Sequence, residues 1–192
     1  PAIGLSRDFV IYDSSDQLAV VKQAMKALNV DDKLIQPRAA LSRISQAKNK
    51  MESPEALAAA GWSLRDQQIG RIYEMYRKAL TDAGALDFDD LLLKTVDLVE
   101  TSERVREFYA RKFRYILVDE YQDTNRPQYL LIRRLAEIHR NLCVVGDPDQ
   151  SIYRWRGADL RNILDFERDF ADAKIVKLEQ NYRSTQVILD AA

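Results

Sequence analysis

The sequence predicts an α/β fold in which helices flank a parallel sheet, preceded in the chain by an all-helical segment. Up to about Ala85, apolar residues recur at spacings of three and four, which is typical of amphipathic helices. From Leu86 onward, short continuous apolar runs alternate with helical patterns, as they do in βαβ units. With 46% apolar residues among 192, the chain can bury a sizeable core.

Two local signals support the helical segment, which we place at residues 13–85 after a short lead-in at residues 1–12. Ser53 followed by Pro54 is an N-cap and a first-turn proline, so a short helix is expected to begin there. A second helix is indicated by an apolar stripe at helical spacing. Its members are Ile69, Ile72, Tyr73, Tyr76 and Leu80.

Residues 86–192 contain the predicted sheet. Its strands fall on three continuous apolar runs, at residues 115–118, 142–145 and 175–178. Helices are predicted over residues 127–139 and 160–170, and Asp87 and Asp89 are placed to cap another that runs through Val99. Parallel strands joined by helices are usually covered on both faces, so we expect a two-sided sheet.

Charge and cysteine content limit the class of protein. With 29 basic and 30 acidic residues, the chain has no overall positive field, so a nucleic-acid partner must be held by local patches. Cys143 lies in an apolar run, which favours a buried thiol and a reducing, cytoplasmic setting. No apolar run reaches the ~20 residues that span a membrane, and the first residues lack a signal-peptide pattern, so no membrane association is expected.

An acidic motif, residues 119–123, directly follows the first predicted strand. Ligands of open α/β sheets bind beyond the carboxyl ends of the strands, where these side chains fall. Asp119 can hold Mg²⁺, which prefers hard oxygen ligands, and Glu120 can act as a general base towards an attacking water. The alternative is a purely structural role, in which the two carboxylates only cap the next helix.

A loop motif, residues 146–159, follows the second predicted strand. Tyr153 and Trp155 alternate with Arg154 and Arg156. Alternating aromatic and guanidinium groups suit a platform on which single-stranded bases stack and phosphates pair. Core packing of Trp155 is the alternative.

A third motif, residues 180–185, follows the last predicted strand. Taken alone, Tyr182 and Arg183 suit an ordinary strand-to-helix turn capped by Ser184. The acidic motif, the loop motif and the third motif occur in this order, however, and as a set they are highly specific for one family. Through them the whole chain resembles the superfamily 1 DNA helicases of the UvrD/Rep/PcrA type.

The resemblance implies a fold and two cofactors. Residues 86–192 are expected to be part of a RecA-like motor domain (1A) of the P-loop NTPase type, ending at the junction with a second motor domain. Residues 13–85 are expected to be a helical, 1B-like insertion. ATP and Mg²⁺ are the implied cofactors, with Asp119 and Glu120 at the metal and Glu120 as the catalytic base.

The other nucleotide contacts implied by the resemblance fall on three residues. Gln150 senses the γ-phosphate and couples it to DNA, Arg183 reaches the γ-phosphate, and Tyr182 stacks on adenine. An arginine there stabilises charge spread over the phosphate oxygens, so Gln150 and Arg183 count as catalytic as well as nucleotide-binding.

The DNA contacts implied by the resemblance come from Tyr153, Trp155 and Arg156. The expected partners are single-stranded DNA and single-strand/duplex junctions, with movement from 3′ to 5′, and further partners from DNA repair or replication. A basic run between Lys33 and Met51 contains no acid, and it is either a phosphate contact or a solvated helix face.

One family motif is missing. None of the six glycines is followed by lysine, so the sequence has no phosphate loop. The chain begins without Met and stops within a helical pattern, so we expect an excised segment that does not turn over ATP alone. Two other functions stay open, an inactive DNA- or partner-binding fragment and the helicase part of a helicase-nuclease.

Overall fold

The computed structural model of the chain describes residues 3–60, 63–151, 158–159, 161–164 and 166–191. The strands are β1 (Val10–Ile11), β2 (Ala85–Leu86), β3 (Ile116–Val118) and β4 (Leu142–Val144). The helices of the first half are α1 (Ser14–Ala27), α2 (Pro37–Asn49), α3 (Pro54–Ala60), α4 (Leu64–Asp82) and α5 (Phe88–Thr101). Those of the second half are α6 (Glu103–Lys112), α7 (Arg126–Leu135), α8 (Arg161–Leu164), α9 (Phe166–Asp169) and α10 (Gln186–Ala191).

The predicted parallel pairing is confirmed, but the described residues form two small sheets rather than one. Strand β1 pairs with β2, and β3 pairs with β4, both in parallel. The third predicted strand, at residues 175–178, is wrong. Its backbone forms no ladder, and the exposed fractions of Val176 and Leu178 are 67% and 84%. An apolar run becomes a strand only when a neighbour accepts and donates its backbone hydrogen bonds, and no described strand lies beside this run.

Helices α1–α4 follow β1 and precede its partner β2 in the chain, and they enclose the main apolar core. The predicted stripe on α4 is confirmed, since all five of its members are buried. Ser53 caps α3, because its Oγ accepts a hydrogen bond from the Ala56 N–H at 3.1 Å. Helix α3 packs closely on α4, where a side-chain carbon at Gly70 would meet Ala58 Cβ at 2.7 Å.

One face of the β3–β4 sheet is open in the described part of the chain, contrary to the predicted two-sided sheet. Leu117 and Cys143 are register partners, and Leu117 is 80% exposed. Cys143 is therefore exposed as well, and the prediction of a buried thiol is wrong. Side chains alternate between the faces of a strand, so Val118 is expected on the opposite side, where it lines a cavity together with Leu131 and Ile132 of α7.

A buried polar cluster joins α2 to the start of α5. The Lys48 Nζ donates to Asp87 Oδ2 at 2.7 Å and to Asp90 Oδ1 at 2.6 Å, so Lys48 is not free to contact DNA phosphates. Asp87 caps α5 as predicted, with Asp90 completing the capping box. The predicted capping role of Asp89 is wrong, because its carboxylate accepts hydrogen bonds from Ser45 and Asn49 of α2.

None of the helices in the described ranges is both long and apolar enough to cross a membrane.

Candidate functional site

The acidic motif begins immediately after β3, on a sharply turned backbone. Glu120 has φ 50°, in the left-handed region that L residues rarely occupy. Two hydrogen bonds hold this turn: the Glu120 N–H donates to Asp119 Oδ1 at 2.9 Å, and the Tyr121 N–H donates to the Val145 carbonyl at 2.9 Å. Backbone strain of this kind persists only where neighbouring contacts fix it, and it is concentrated at functional sites.

A cavity of about 350 Å³ opens beside this turn. Three carboxylates line it, from Asp119, Glu120 and Asp123, while Leu131 and Ile132 of α7 provide an apolar wall. The Oδ1 atom of Asp123 is buried without a hydrogen-bond partner among the described residues. A concave site lined by carboxylates suits a hydrogen-bond donor, or a cation whose remaining ligands come from water or a bound molecule.

The described part of the loop motif forms a compact turn after β4. Asp147 caps a single 3₁₀ turn, Pro148–Gln150, and its carboxylate accepts from the Asp149 N–H at 2.9 Å. The Gln150 Nε2 donates to the same carboxylate at 2.7 Å. The hydrogen bond from Gln150, followed by that from the Asp149 N–H, lowers the pKa of Asp147 from its ordinary value. The turn therefore fixes Gln150 through an ionised aspartate.

The third motif reaches this turn through one arginine. The Asn181 Oδ1 accepts from the N–H groups of Arg183 and Ser184, which shapes the chain before α10. The Arg183 Nη1 donates to Gln150 Oε1 at 3.3 Å. Tyr182, by contrast, is 87% exposed. Two residues predicted to meet the same phosphate group therefore lie in contact, although 33 positions separate them in the chain.

The predicted site residues divide into four groups. Asp119 and Glu120 share the cavity, and Gln150 and Arg183 share a hydrogen bond. Tyr182 lies on the surface. The predicted DNA-binding residues Tyr153, Trp155 and Arg156 lie outside the described residues.

Sequence reasoning assigned no role to Gln122 or Asp123, although both belong to the acidic motif. Gln122 is 1% exposed, and its side chain contacts Glu120 and the backbone of Asp147. The signal that could have identified it is a glutamine between the carboxylates of Glu120 and Asp123, since a buried amide needs both a donor and an acceptor partner.

Comparison with known proteins supports a single family. The model of the UvrD/REP helicase N-terminal domain matches residues 1–171. The ATP-dependent DNA helicase PcrA of Bacillus subtilis (strain 168) is 53% identical over 190 residues, which cover 99% of this chain and 26% of that protein. PcrA from Staphylococcus epidermidis (strain ATCC 12228) and from Staphylococcus aureus (strain Mu50) are each 48% identical over the same lengths.

The chain spans about a quarter of the length of these curated relatives. The family match extends over the acidic and loop motifs, where the described carboxylates and Gln150 lie. The aligned residues of the PcrA relatives cover nearly the whole chain. The chain therefore belongs to the UvrD/REP helicase family.

Proposed function

We propose that the chain is part of the first motor domain, with its helical insertion, of an ATP-dependent DNA helicase. In this proposal Mg-ATP hydrolysis drives movement on single-stranded DNA in the 3′ to 5′ direction, with unwinding at single-strand/duplex junctions. The observation that carries it is the Arg183–Gln150 hydrogen bond, which joins the third motif to the loop motif next to the acidic turn. The names of the relatives, all ATP-dependent DNA helicases, support the same function.

The residues around the cavity fit a magnesium ion with bound phosphates. Mg²⁺ is usually held by one or two carboxylates, with waters and phosphate oxygens completing the shell. Asp119 offers one such carboxylate, directly or through water, and Glu120 lies beside it in the same cavity, where it would meet the ion through a bound water. The ion would neutralise charge on the phosphates.

The roles of the protein groups follow from their chemistry. Glu120 orients and deprotonates the attacking water, and Gln150 and Arg183 contact the γ-phosphate, where a guanidinium stabilises developing charge. Tyr182 is exposed and free to stack on adenine. Asp123 also lines this cavity, although its Oδ1, which has no hydrogen-bond partner among the described residues, is buried.

The proposal for DNA rests on sequence and on the position of the loop motif. Tyr153, Trp155 and Arg156 follow Gln150 by three, five and six positions, so a strand stacked on these aromatics would be close in the chain to the proposed nucleotide contact. We propose repair or replication proteins as further partners and the cytoplasm, where DNA and ATP are present, as the location.

We also propose that the chain is divided into a lead-in, a helical insertion and a part of the motor domain, with boundaries after residues 12 and 85. The pairing of β1 with β2, which lie on either side of α1–α4 in the chain, supports this division.

The test uses Glu120→Gln in the gene product in which this chain occurs, called the parent protein below. We expect DNA-stimulated ATP hydrolysis to be abolished while ATP binding survives, because the base is lost but the phosphate contacts remain. Retained turnover would overturn the proposed role of Glu120, and lost binding would indicate a structural one. The 192-residue chain alone is expected to hydrolyse ATP no faster than its own Glu120→Gln variant, since it has no phosphate loop.

A further inference from the structure

Gln122 is a buried amide that lies between the acidic motif and the loop motif. Its Nε2 donates to Glu120 Oε2 at 2.7 Å, and its Oε1 accepts from the Asp147 N–H at 3.1 Å. The orientation of the amide is fixed by its partners, because a carboxylate can only accept and a backbone N–H can only donate. Either group would be left unpaired if the amide were turned over.

The space around Gln122 holds the side chain in place. A side-chain carbon at Gly146 would lie 2.8 Å from Gln122 Oε1 and 2.9 Å from Ile163 Cδ1, so only glycine fits against the amide. The backbone nitrogen of Gln122 also lies close to this point, at 3.3 Å. On the other side, the Tyr121 N–H is bound to the carbonyl of Val145, the residue just before Gly146. Movement of the amide therefore requires movement of both motifs.

Gln122 forms one link in a continuous path of hydrogen bonds through all three motifs. From Asp147 the path continues to Gln150, whose Nε2 donates to the Asp147 carboxylate at 2.7 Å. It ends at Arg183, which donates to Gln150 Oε1 at 3.3 Å. Glu120 lies at the other end, so the expected general base and the expected γ-phosphate ligands belong to one network.

We propose that Gln122 is the positioning residue for Glu120, holding its carboxylate against the loop motif so that one oxygen faces the attacking water. This inference rests on the proposed function. The amide binds Oε2 of Glu120, so Oε1 is the oxygen that would accept the proton from water. Without this hydrogen bond the carboxylate could rotate, and neither oxygen would be held towards the water. A general base acts only when its oxygen lies within hydrogen-bond reach of the water, so loss of the amide affects the chemical step more than binding.

Two substitutions in the parent protein separate positioning from packing. Gln122→Met keeps the length of the side chain and removes both hydrogen bonds. Gln122→Glu keeps the shape and the acceptor for the Asp147 N–H but removes the donor to Glu120. Removing groups that orient catalytic ligands costs about 10- to 100-fold in activity, so we expect a kcat loss of that order for both variants. The KM for ATP and the nucleotide affinity should change by much less.

Gln17→Met is the matched control, since Gln17 is also partly buried and donates one hydrogen bond, to the Tyr12 carbonyl at 3.0 Å, far from the acidic motif in the chain. It should keep the kcat of the unmodified protein. Wild-type kcat in both Gln122 variants, or a raised KM with kcat unchanged, would overturn the positioning role. If Gln122→Met does not fold, the shape-matched Gln122→Glu variant decides the question by the same criterion. A result in which Glu120→Gln abolishes turnover but neither Gln122 variant reduces it refutes this inference and leaves the proposed function intact.

Discussion

Lys48 and Asp87 form a buried ion pair between the helical segment and the rest of the chain. Their side chains are 2% and 4% exposed, and Nζ lies 2.7 Å from Oδ2. Asp90 accepts a second bond from the same ammonium group, and the Tyr76 hydroxyl donates to Asp87 at 2.7 Å. Because burial removes water from these charges, each depends on its partners for compensation.

We expect Lys48→Met to lower the free energy of unfolding by roughly 3–5 kcal/mol, because it leaves buried carboxylates without a cation. Urea unfolding of the 192-residue chain, followed by circular dichroism, measures this change. Arg77→Met is the control, since it removes an ion pair with Glu55 whose side chains are 51% and 61% exposed, and it should cause a much smaller change. Equal effects of the two substitutions would show that the buried pair has no special importance for stability.

The same cluster predicts a pH dependence. Burial opposes ionisation of Asp87, but the charge of Lys48 and the hydrogen bonds from Lys48 and Tyr76 outweigh it and hold its pKa below the usual 3.8. This carboxylate therefore stabilises the fold above that value, and the contribution is lost as the pH falls through its folded-state pKa. Burial raises the pKa values of Asp89 and Asp90, whose contributions have the opposite sign and favour the fold as the pH falls.

In Lys48→Met the cation is gone and all three carboxylates should have raised pKa values. Its folded state then binds more protons than its unfolded state, so its stability should rise as the pH falls from about 7 to about 4. The difference in unfolding free energy between the wild type and the variant should be largest near neutral pH and shrink in acid. A difference independent of pH over this interval would contradict the electrostatic explanation.

The features predicted correctly from the sequence depend on local pattern. The Asp87 cap, the stripe on α4 and strands β3 and β4 are each specified within a short window. The features predicted wrongly depend on distant residues. Asp89 was expected to cap a helix, but its partner Ser45 lies 44 positions away.

One further error has the same origin. Cys143 follows the pattern of a buried strand, but its burial requires a layer over that face of the sheet, and no described element covers it. The candidate site shows the same difference between features specified locally and features that depend on distant residues. The positions of Asp119 and Glu120 followed from the end of a strand, whereas the role that we propose for Gln122 depends on its contact with Asp147, 25 positions further along the chain.

A third prediction concerns the close packing of α3 on α4. In an exposed helix interior, alanine is more favourable than glycine by about 1 kcal/mol. At Gly70, however, the added carbon would lie 3.0 Å from the Ala58 backbone N and Cα as well as 2.7 Å from its Cβ. Overpacking of this kind costs about 1–3 kcal/mol, so we expect Gly70→Ala to reduce the unfolding free energy overall.

Urea unfolding again provides the measurement for Gly70→Ala. Adding Ala58→Gly removes the nearest contact atom, so the double variant should lose less stability than the sum of its single substitutions. Strict additivity, or a Gly70→Ala variant more stable than the wild type, would contradict the close approach of the two helices.

The last prediction concerns coupling between nucleotide and DNA in the parent protein. Gln150 contacts Asp147 and Arg183, and Trp155 follows it by five positions in the loop motif. Two groups so close in the chain can couple the state of the γ-phosphate to a stacked base. Trp155→Ala should weaken single-strand affinity by about 1–3 kcal/mol through the loss of one stacking contact, and leave DNA-independent ATP hydrolysis nearly unchanged.

Gln150→Ala should have the complementary defect. Single-strand affinity without nucleotide should stay near normal, but its response to a non-hydrolysable ATP analogue should be largely lost, because the link between Arg183 and Asp147 is broken. Titrating labelled single-stranded DNA with both variants, with and without the analogue, separates a stacking platform from a nucleotide sensor. If Trp155→Ala binds as tightly as the wild type, the aromatic residue does not stack on DNA. If Gln150→Ala keeps the full response to the analogue, the coupling does not pass through this glutamine.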